Sequence, residues 1–523
     1  MVTPARSTPE GDAKMRFNTP SEGINKTVNY EGDLAYKLDP ALELYVATCC
    51  ASLQPKFYVP DVDGQLQRLR GLIEQNNHEY VAKLAVYARE QMYLRSVPLV
   101  LAVELARVHH GDDLVRRLTT RVIQRADELT EILAYYQAAN KRTDQKKLGR
   151  LSNQLKKGVA DAFHKFDEHR LQKYNRDSEI KLRDALFLTH PKPRDDAEAA
   201  LFKKIADGTL ETPFTWETQI SAVGTQHFDT PEAKAAAFKA KWEELIDSGK
   251  ISYMATLRNI RNCLDARVSL EHITKLSSKL SNPDEVRHSK QLPFRFLSAY
   301  RELEGHTNPH TPIILNALED AVLVAAENIA GYDYNTSILI ACDVSGSMNH
   351  PISPRSKVEN YDIGLVLAML LQNRCKTYIT GVFGDVFKTV ALPNKAILQN
   401  TRQLARLSRL VGWSTNGWTV PQYLLDNKVK IDKVMIFTDC QMWDSSGHYQ
   451  GRGARKEVWH KYKQFNPAAK LYLFDLMGYG HTPLDVRSGE AHLIAGWSDK
   501  IFTVLAAIEQ GKTAQDVVNT IEL

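Results

Sequence analysis

The chain has 523 residues, 43% hydrophobic and 25% charged, which is too long for one core and calls for two or three domains. No window approaches the roughly 18 uncharged apolar residues that a membrane helix needs, so no membrane partner is expected. The net charge of +5 is modest and names no partner by itself.

The first element is no element: Met1 to Asn25 is rich in Pro, Ser, Thr and Gly and has no apolar h-region, so residues 1–25 are expected to be a disordered tail and not a secretory signal. From about residue 34 to 330 apolar residues recur at three and four, as in Val81, Leu84, Ala85 and Ala88 and again in Leu99, Leu101, Ala102, Leu105 and Ala106. That is helical spacing nearly throughout, and Pro98 stands where a new helix would begin. Helices of this length joined by short turns predict a stack of antiparallel pairs, as in an α-solenoid, with no strict repeat.

Within this part residues 141–183 hold 13 Lys and Arg against six acids, on a background that is otherwise slightly acidic. A stripe of Leu148, Leu151, Leu155, Val159, Phe163 and Phe166 predicts one docked helix over 148–166, with Arg150, Lys156 and Lys157 falling off the stripe. Such a basic run is either a footprint for a polyanion or a solvated helix face.

After Gly331 the period changes. Short apolar runs at Ser337–Cys342, Lys376–Phe383, Lys433–Thr438 and Leu471–Leu476 alternate with helical stretches at Tyr361–Asn373, Gln399–Leu410 and Ala454–Phe465. A last strand and helix fall around Leu493 and Val504–Gln510. The alternation predicts a doubly wound, mostly parallel α/β sheet. The domain boundary is expected near 331–335, with a helical domain over 26–332 and the sheet domain over 333–523. Six cysteines form no C-x-x-C pair, Cys49 and Cys50 are adjacent, and Cys342 and Cys440 lie in apolar strand-like runs. That is the pattern of a reduced cytoplasmic protein with buried thiols.

In an open α/β sheet, ligands collect at the carboxyl ends of strands. Asp343 ends the first run and is followed by Ser345 and Ser347 in a glycine-containing loop. Asp439 ends a later run, Ile436-Phe437-Thr438, and Thr415 lies in the loop between. Carboxylates and hydroxyls with no soft donor suit a hard divalent cation, Mg²⁺ first and Mn²⁺ as the alternative. The plain reading of Ser345 and Ser347 as helix caps leaves Asp439 unexplained.

This set resembles the metal-ion-dependent adhesion site of von Willebrand factor A domains, which implies a cation that completes its shell with a partner's carboxylate. The family often reads Gly-Gly-Thr in the middle loop where this chain has Gly412-Trp413-Ser414-Thr415, so Ser414 and Thr415 both stand as the coordinating hydroxyl. The helical half resembles the TROVE module of Ro ribonucleoproteins through Ala88-Arg89-Glu90-Gln91-Met92-Tyr93-Leu94-Arg95-Ser96-Val97-Pro98, Thr256-Leu257-Arg258-Asn259-Ile260 and Pro293–Tyr300. The resemblance implies a ring of HEAT-like helix pairs closed by a Rossmann-like A domain. It further implies binding of the 3′ ends of misfolded noncoding RNA in the ring and of Y-like RNA outside it. Lys173, Arg176 and His190 match a family stretch that contacts RNA, although Arg176 is offset by about one position.

The expected function is therefore RNA binding in quality control or as a ribonucleoprotein scaffold. Nothing reads as a nucleophile with its base, a P-loop or a zinc triad, so no enzyme is expected. The partners expected are noncoding RNA and a protein that offers a carboxylate, an exoribonuclease among the candidates. The alternative is a cation-dependent protein adaptor with no RNA role, which would have no need of the basic stripe.

Overall fold

Polar caps ahead of apolar stripes start many helices of the N-terminal half. The Asp39 carboxylate accepts from Ala41 and Leu42 N–H ahead of Pro40, and Asn77 does the same for Glu79 and Tyr80. Each cap satisfies donors that the first turn leaves unpaired, and proline is harmless where no N–H is needed. The computed structural model describes residues 25–51, 62–139, 152–175, 179–325, 335–353, 356–443, 445 and 454–523. Among these, 17 helices run from Pro40 to Ala325 and pack largely on their sequence neighbours. Helix Asn153–Phe163 lies unusually close to helix Leu114–Val122. A Cβ at Gly158 would stand 2.6 Å from the Thr119 Cβ, so only glycine permits that approach.

The stretch Ala88–Pro98 is structural. Arg89 is buried and both Glu128 carboxylate oxygens accept from its Nη2 at 2.7 Å, while Arg95 reaches Glu128 at 3.3 Å and Glu131 at 3.0 Å. Glu128 also takes the Gln124 and Arg125 backbone N–H, so the buried charges are hydrogen-bonded as burial demands.

Among the described residues the strands are β1 (Lys26–Val28), β2 (Leu34–Lys37), β3 (Ser337–Asp343), β4 (Thr377–Phe383), β5 (Phe387–Val390), β6 (Lys433–Thr438), β7 (Lys470–Asp475), β8 (His481–Thr482) and β9 (His492–Ala495). Six form one sheet in the order β5-β4-β3-β6-β7-β9, parallel except for the β5 edge. Apolar residues on both faces of β3 and β6 are buried, as a parallel sheet covered by helices requires. The sheet order reverses at β3, with β4 on one side and β6 on the other, which sets up a crevice at the strands' carboxyl ends.

Both ends of the helical array meet this domain. At the first end β2 pairs antiparallel with β8, the Tyr45 hydroxyl donates to Ala495 O at 3.4 Å, and the Cys50 thiol donates to Asp475 O at 3.1 Å. At the last end the Arg301 guanidinium grips both oxygens of buried Asp362, and Glu319 accepts from Leu398 N and Gln399 N at 3.0 and 2.8 Å. Lys290, late in the array, also lies 5.3 Å from the Tyr93 ring near its start. The array thus closes on itself through the sheet domain.

Several expectations need correction. The N-terminal segment is not helical from residue 34: β1 and β2 form a hairpin that joins the sheet domain's β8, because Ala35 and Tyr36 bury against that domain. Asn25 is already fixed, accepting from Lys37 N at 2.8 Å. The predicted 148–166 helix spans Asn153–Phe163; Phe166 lies past its end yet stays buried, while Leu148, Leu151 and the boundary residues 331–334 fall outside the described residues. Cys440 is beyond β6, in a left-handed turn at φ 63°, not in a strand. The six thiols are all free and buried. Edge strand β5 and helices Thr419–Asp426 and Ala514–Asn519 were not expected.

Candidate cation site and nucleic-acid surface

The β3–β6 register sets Cys342 opposite Phe437, which brings Asp343 beside Thr438 and Asp439. The Thr438 hydroxyl donates to Asp343 Oδ2 at 2.6 Å, and Ser345 N donates to Asp343 Oδ1 at 3.0 Å. The Ser345 and Ser347 hydroxyls lie 3.3 Å apart. Gly346 N donates to Trp413 O at 2.9 Å and Trp443 N to Thr415 O at 3.1 Å, so three loops are tied at one rim. Gly412, at φ 81°, is required there, since a Cβ would stand 2.2 Å from the Asp385 carboxylate that holds Ser414 N. Asp343, Ser345, Ser347, Thr415 and Asp439 are all buried, whereas Ser414 is partly exposed.

Burial drives the Asp343 and Asp439 carboxyls well above the usual carboxylate range, and for Asp439 the charge on Asp343 adds to the effect. Asp439 Oδ1 accepts from Gln441 N at 2.9 Å, but its Oδ2 is buried with no hydrogen-bond partner. Two buried acids with an orphaned oxygen call for a positive charge, and no basic side chain supplies one by ion pair among the described residues. A hard cation fits this donor set. Among the described residues no group of three or more His, Cys, Asp or Glu is placed to hold a metal ion, so the donors here would be two carboxylates with hydroxyls. Thr438 is the residue that sequence reasoning missed: its role depends on strand register, which no local pattern reveals.

In the helical half, helix Asn153–Phe163 buries Leu155, Val159, Ala162 and Phe163 and leaves Lys157 exposed and Lys156 half-buried. Lys165 is not spare: it donates to Thr120 O and Ile123 O and so caps the helix ending at Val122. Lys173 ends helix Glu168–Tyr174, with its ammonium 5.7 Å from the Tyr174 ring, while Arg125 sits 4.9 Å from the same ring. His190 is exposed in the left-handed turn that ends helix Leu182–Thr189. Arg194 N and side chain bind Glu198, which also takes His164 Nδ1 at 2.8 Å, anchoring the stretch that follows His190. Arg150 and Arg176 lie outside the described residues.

A closed helical array carrying a von Willebrand A-type sheet domain with this rim is a defined class of protein. Residues 60–240 and 209–312 match the TROVE domain, and residues 337–507 match the Ro60 vWA domain. Telomerase protein component 1 of Rattus norvegicus is 24% identical over 292 residues, which is 43% of this chain and 11% of the relative. RNA-binding protein RO60 of Deinococcus radiodurans is 24% identical over 342 residues, 58% of this chain and 62% of the relative. The chain thus spans less than two thirds of the length of either curated relative. The crystal structure of the Deinococcus radiodurans RO (RSR) protein shares the fold with a TM-score of 0.56 at 19% identity, over 90% of this chain and 100% of that one. This chain belongs to the Ro ribonucleoprotein family.

No helix among the described residues is long and apolar enough to cross a membrane.

Proposed function

We propose that this protein is a cytoplasmic RNA-binding scaffold of Ro type and not an enzyme. It takes single-stranded 3′ ends of misfolded noncoding RNA, and Y-like RNA, on the helical half. The observation that carries this reading is a set of three lysines on the basic segment, Lys156, Lys157 and Lys173, that have no ion pair among the described residues. Their neighbours Lys165 and Arg170 are engaged, by helix-end carbonyls and by Asp167. Unpaired ammonium groups on a closed array are suited to phosphates, and exposed His190 offers its ring to an unstacked base. The relative from Deinococcus radiodurans carries the name RNA-binding protein RO60, which supports the same reading.

Asp343, Ser345, Ser347, Thr415 and Asp439 would hold one divalent cation, Mg²⁺ or else Mn²⁺, with Thr415 favoured over Ser414 by its burial. The cation would supply charge neutralisation for the two acids and an open position for a carboxylate from a protein partner. An exoribonuclease is the partner that an RNA quality-control role would call for.

A gel-shift comparison tests the RNA reading with a structured RNA bearing a single-stranded 3′ extension and the same RNA trimmed blunt. The tailed RNA should bind better, and replacing Lys173, Arg176 and His190 with Ala should cost at least about tenfold and erase the preference. Equal binding of the two RNAs by the unmodified protein would rule out capture of the 3′ end.

A further inference from the structure

Lys173 stands on the wall of a cavity that no local pattern in the sequence announces. The cavity encloses about 640 Å³, and Lys173, Asn175, Trp216, Glu217 and Arg258 are among the residues that line it. That volume is within the roughly 300–1,000 Å³ of sites that enclose a small organic ligand. Three segments meet here: the end of helix Glu168–Tyr174, the loop from Leu210 with the start of helix Trp216–Gly224, and the middle of helix Tyr253–Asp265.

Each lining residue offers a different contact. Neither Lys173 nor Arg258 has an ion pair among the described residues. Arg258 also lines a second cavity, of about 320 Å³, together with Arg295 and with Arg261, whose charge is taken by Glu302 at 2.9 Å. Arg295 keeps contact with solvent, yet the protein packed around it and then the charge of Arg258 hold its guanidinium below the usual arginine range. Two guanidiniums that repel each other without a spare carboxylate between them are poised for an anion. Trp216 is half-buried and stacked on buried Trp242, with ring centroids 6.0 Å apart and planes at 23°, so the indole is a fixed wall. Glu217 Oε2 is buried with no hydrogen-bond partner, an acceptor awaiting a donor. Glu211 at the rim keeps the cavity from being uniformly cationic.

We propose that this cavity is a nucleotide pocket for single-stranded RNA, in which Lys173 and Arg258 hold phosphate, Trp216 stacks on the base and Glu217 accepts from a base N–H or a ribose hydroxyl. A simple anion site would need neither the indole nor the unpartnered carboxylate. A peptide pocket would have no need of two unpaired cations beside a fixed aromatic plane. The proposal rests on the RNA reading above and adds Trp216, Glu217 and Arg258 to it. The Thr256–Ile260 stretch, read in sequence as family character only, thereby divides its labour: Asn259 locks its own helix through Ala255 O at 2.9 Å, and Arg258 faces the cavity.

The test is fluorescence anisotropy of the full chain with a labelled single-stranded RNA ten nucleotides long (about ten, enough to span one such groove). Arg258→Ala should weaken binding roughly tenfold and reduce the slope of log K against log salt by about 0.7. Trp216→Ala should weaken it by a similar factor without changing that slope, and Trp216→Phe should restore most of it. Glu217→Gln should leave the slope intact and change the ranking of oligo(C), oligo(A) and oligo(U). Circular dichroism of each variant separates loss of the pocket from loss of the fold, and Arg258→Ala, which truncates an exposed side chain, decides the question if the Trp216→Ala variant unfolds. RNA binding by the unmodified protein that neither Arg258→Ala nor Trp216→Ala alters overturns the pocket and leaves the RNA reading standing. Failure of the unmodified protein to bind any of the three RNAs overturns both.

Discussion

In the sheet domain the charged groups of interest are sealed, with Asp343 and Asp439 only 1% and 0% exposed, whereas Lys157 and His190 on the helical array are open to solvent and Lys156 and Lys173 partly so. The parallel ladder fixes the acids to within one register, and burial makes an opposite charge necessary. The lysines keep their hydration, cost little to leave unpaired, and gain only when a polyanion releases its counterions. On the reading proposed above, one half would hold a single hard ion in one geometry. The other tolerates variation in where a flexible strand lies.

Breaking the seam between the halves should have the largest effect on stability. Arg301→Ala leaves buried Asp362 without its partner, and such a loss costs about 3–5 kcal/mol. Urea denaturation followed by circular dichroism should show a lower midpoint, with the two halves losing their common transition. An unchanged midpoint would mean that the array is not closed by this contact.

The sealed site should respond next. Asp343→Ala should abolish Mg²⁺ binding in calorimetry, and Asp439→Ala should weaken it. Thr438→Val, which removes the hydroxyl that holds Asp343 Oδ2, should cost about 10–100-fold in affinity, the usual effect of losing a group that orients a ligand. Wild-type affinity in the Asp343 variant would remove the cation from the account.

The open surface should respond through salt. For the unmodified protein log K for RNA should fall by about 0.7 per phosphate neutralised for each decade of salt, and Lys156→Glu with Lys157→Glu should flatten that line. A slope indifferent to both reversals would leave those lysines as a solvated face.

The smallest effect concerns the stretch that carries His190. Burial alone would raise the Glu198 carboxyl, but hydrogen bonds from His164 and Arg194 outweigh it and hold the group at about 2. Its contribution is therefore present above the ordinary glutamate range and is lost as pH falls toward 2. Glu198→Gln should lose a modest part of the stability difference between pH 5 and pH 2.5 (a window of about 2.5 units bounded by those two values), read by thermal melting. An identical acid profile in the variant would mean the cluster anchors nothing.

Legibility in the sequence followed the range of the interactions. Strand β6 and helix Ala454–Phe465 fall where apolar runs and helical spacing put them, because those patterns are local. The hairpin at Lys26–Lys37 was invisible, since its strands are short and its partner β8 is over 400 residues away. Asp343, Ser345, Ser347 and Asp439 stand at or just past strand ends, where topology predicts ligands, while Thr415 lies between two helices, and the fold draws the three loops to one rim. Thr438, Trp216 and Arg258 gain meaning only when distant segments meet. Arg89 shows the converse: a residue in a stretch that carries the family resemblance is buried and held by Glu128.

The central claim, that RNA is held by the open half and the cation by the sealed one, is tested most directly by one titration. A labelled RNA with a single-stranded 3′ tail is bound to the unmodified protein, to Asp343→Ala, and to the combined Lys156→Glu, Lys157→Glu and Lys173→Ala variant. The account predicts that Asp343→Ala binds within about twofold of the unmodified protein, and that the lysine variant loses at least about tenfold. Loss of RNA binding in Asp343→Ala, with the lysine variant unaffected, would contradict it.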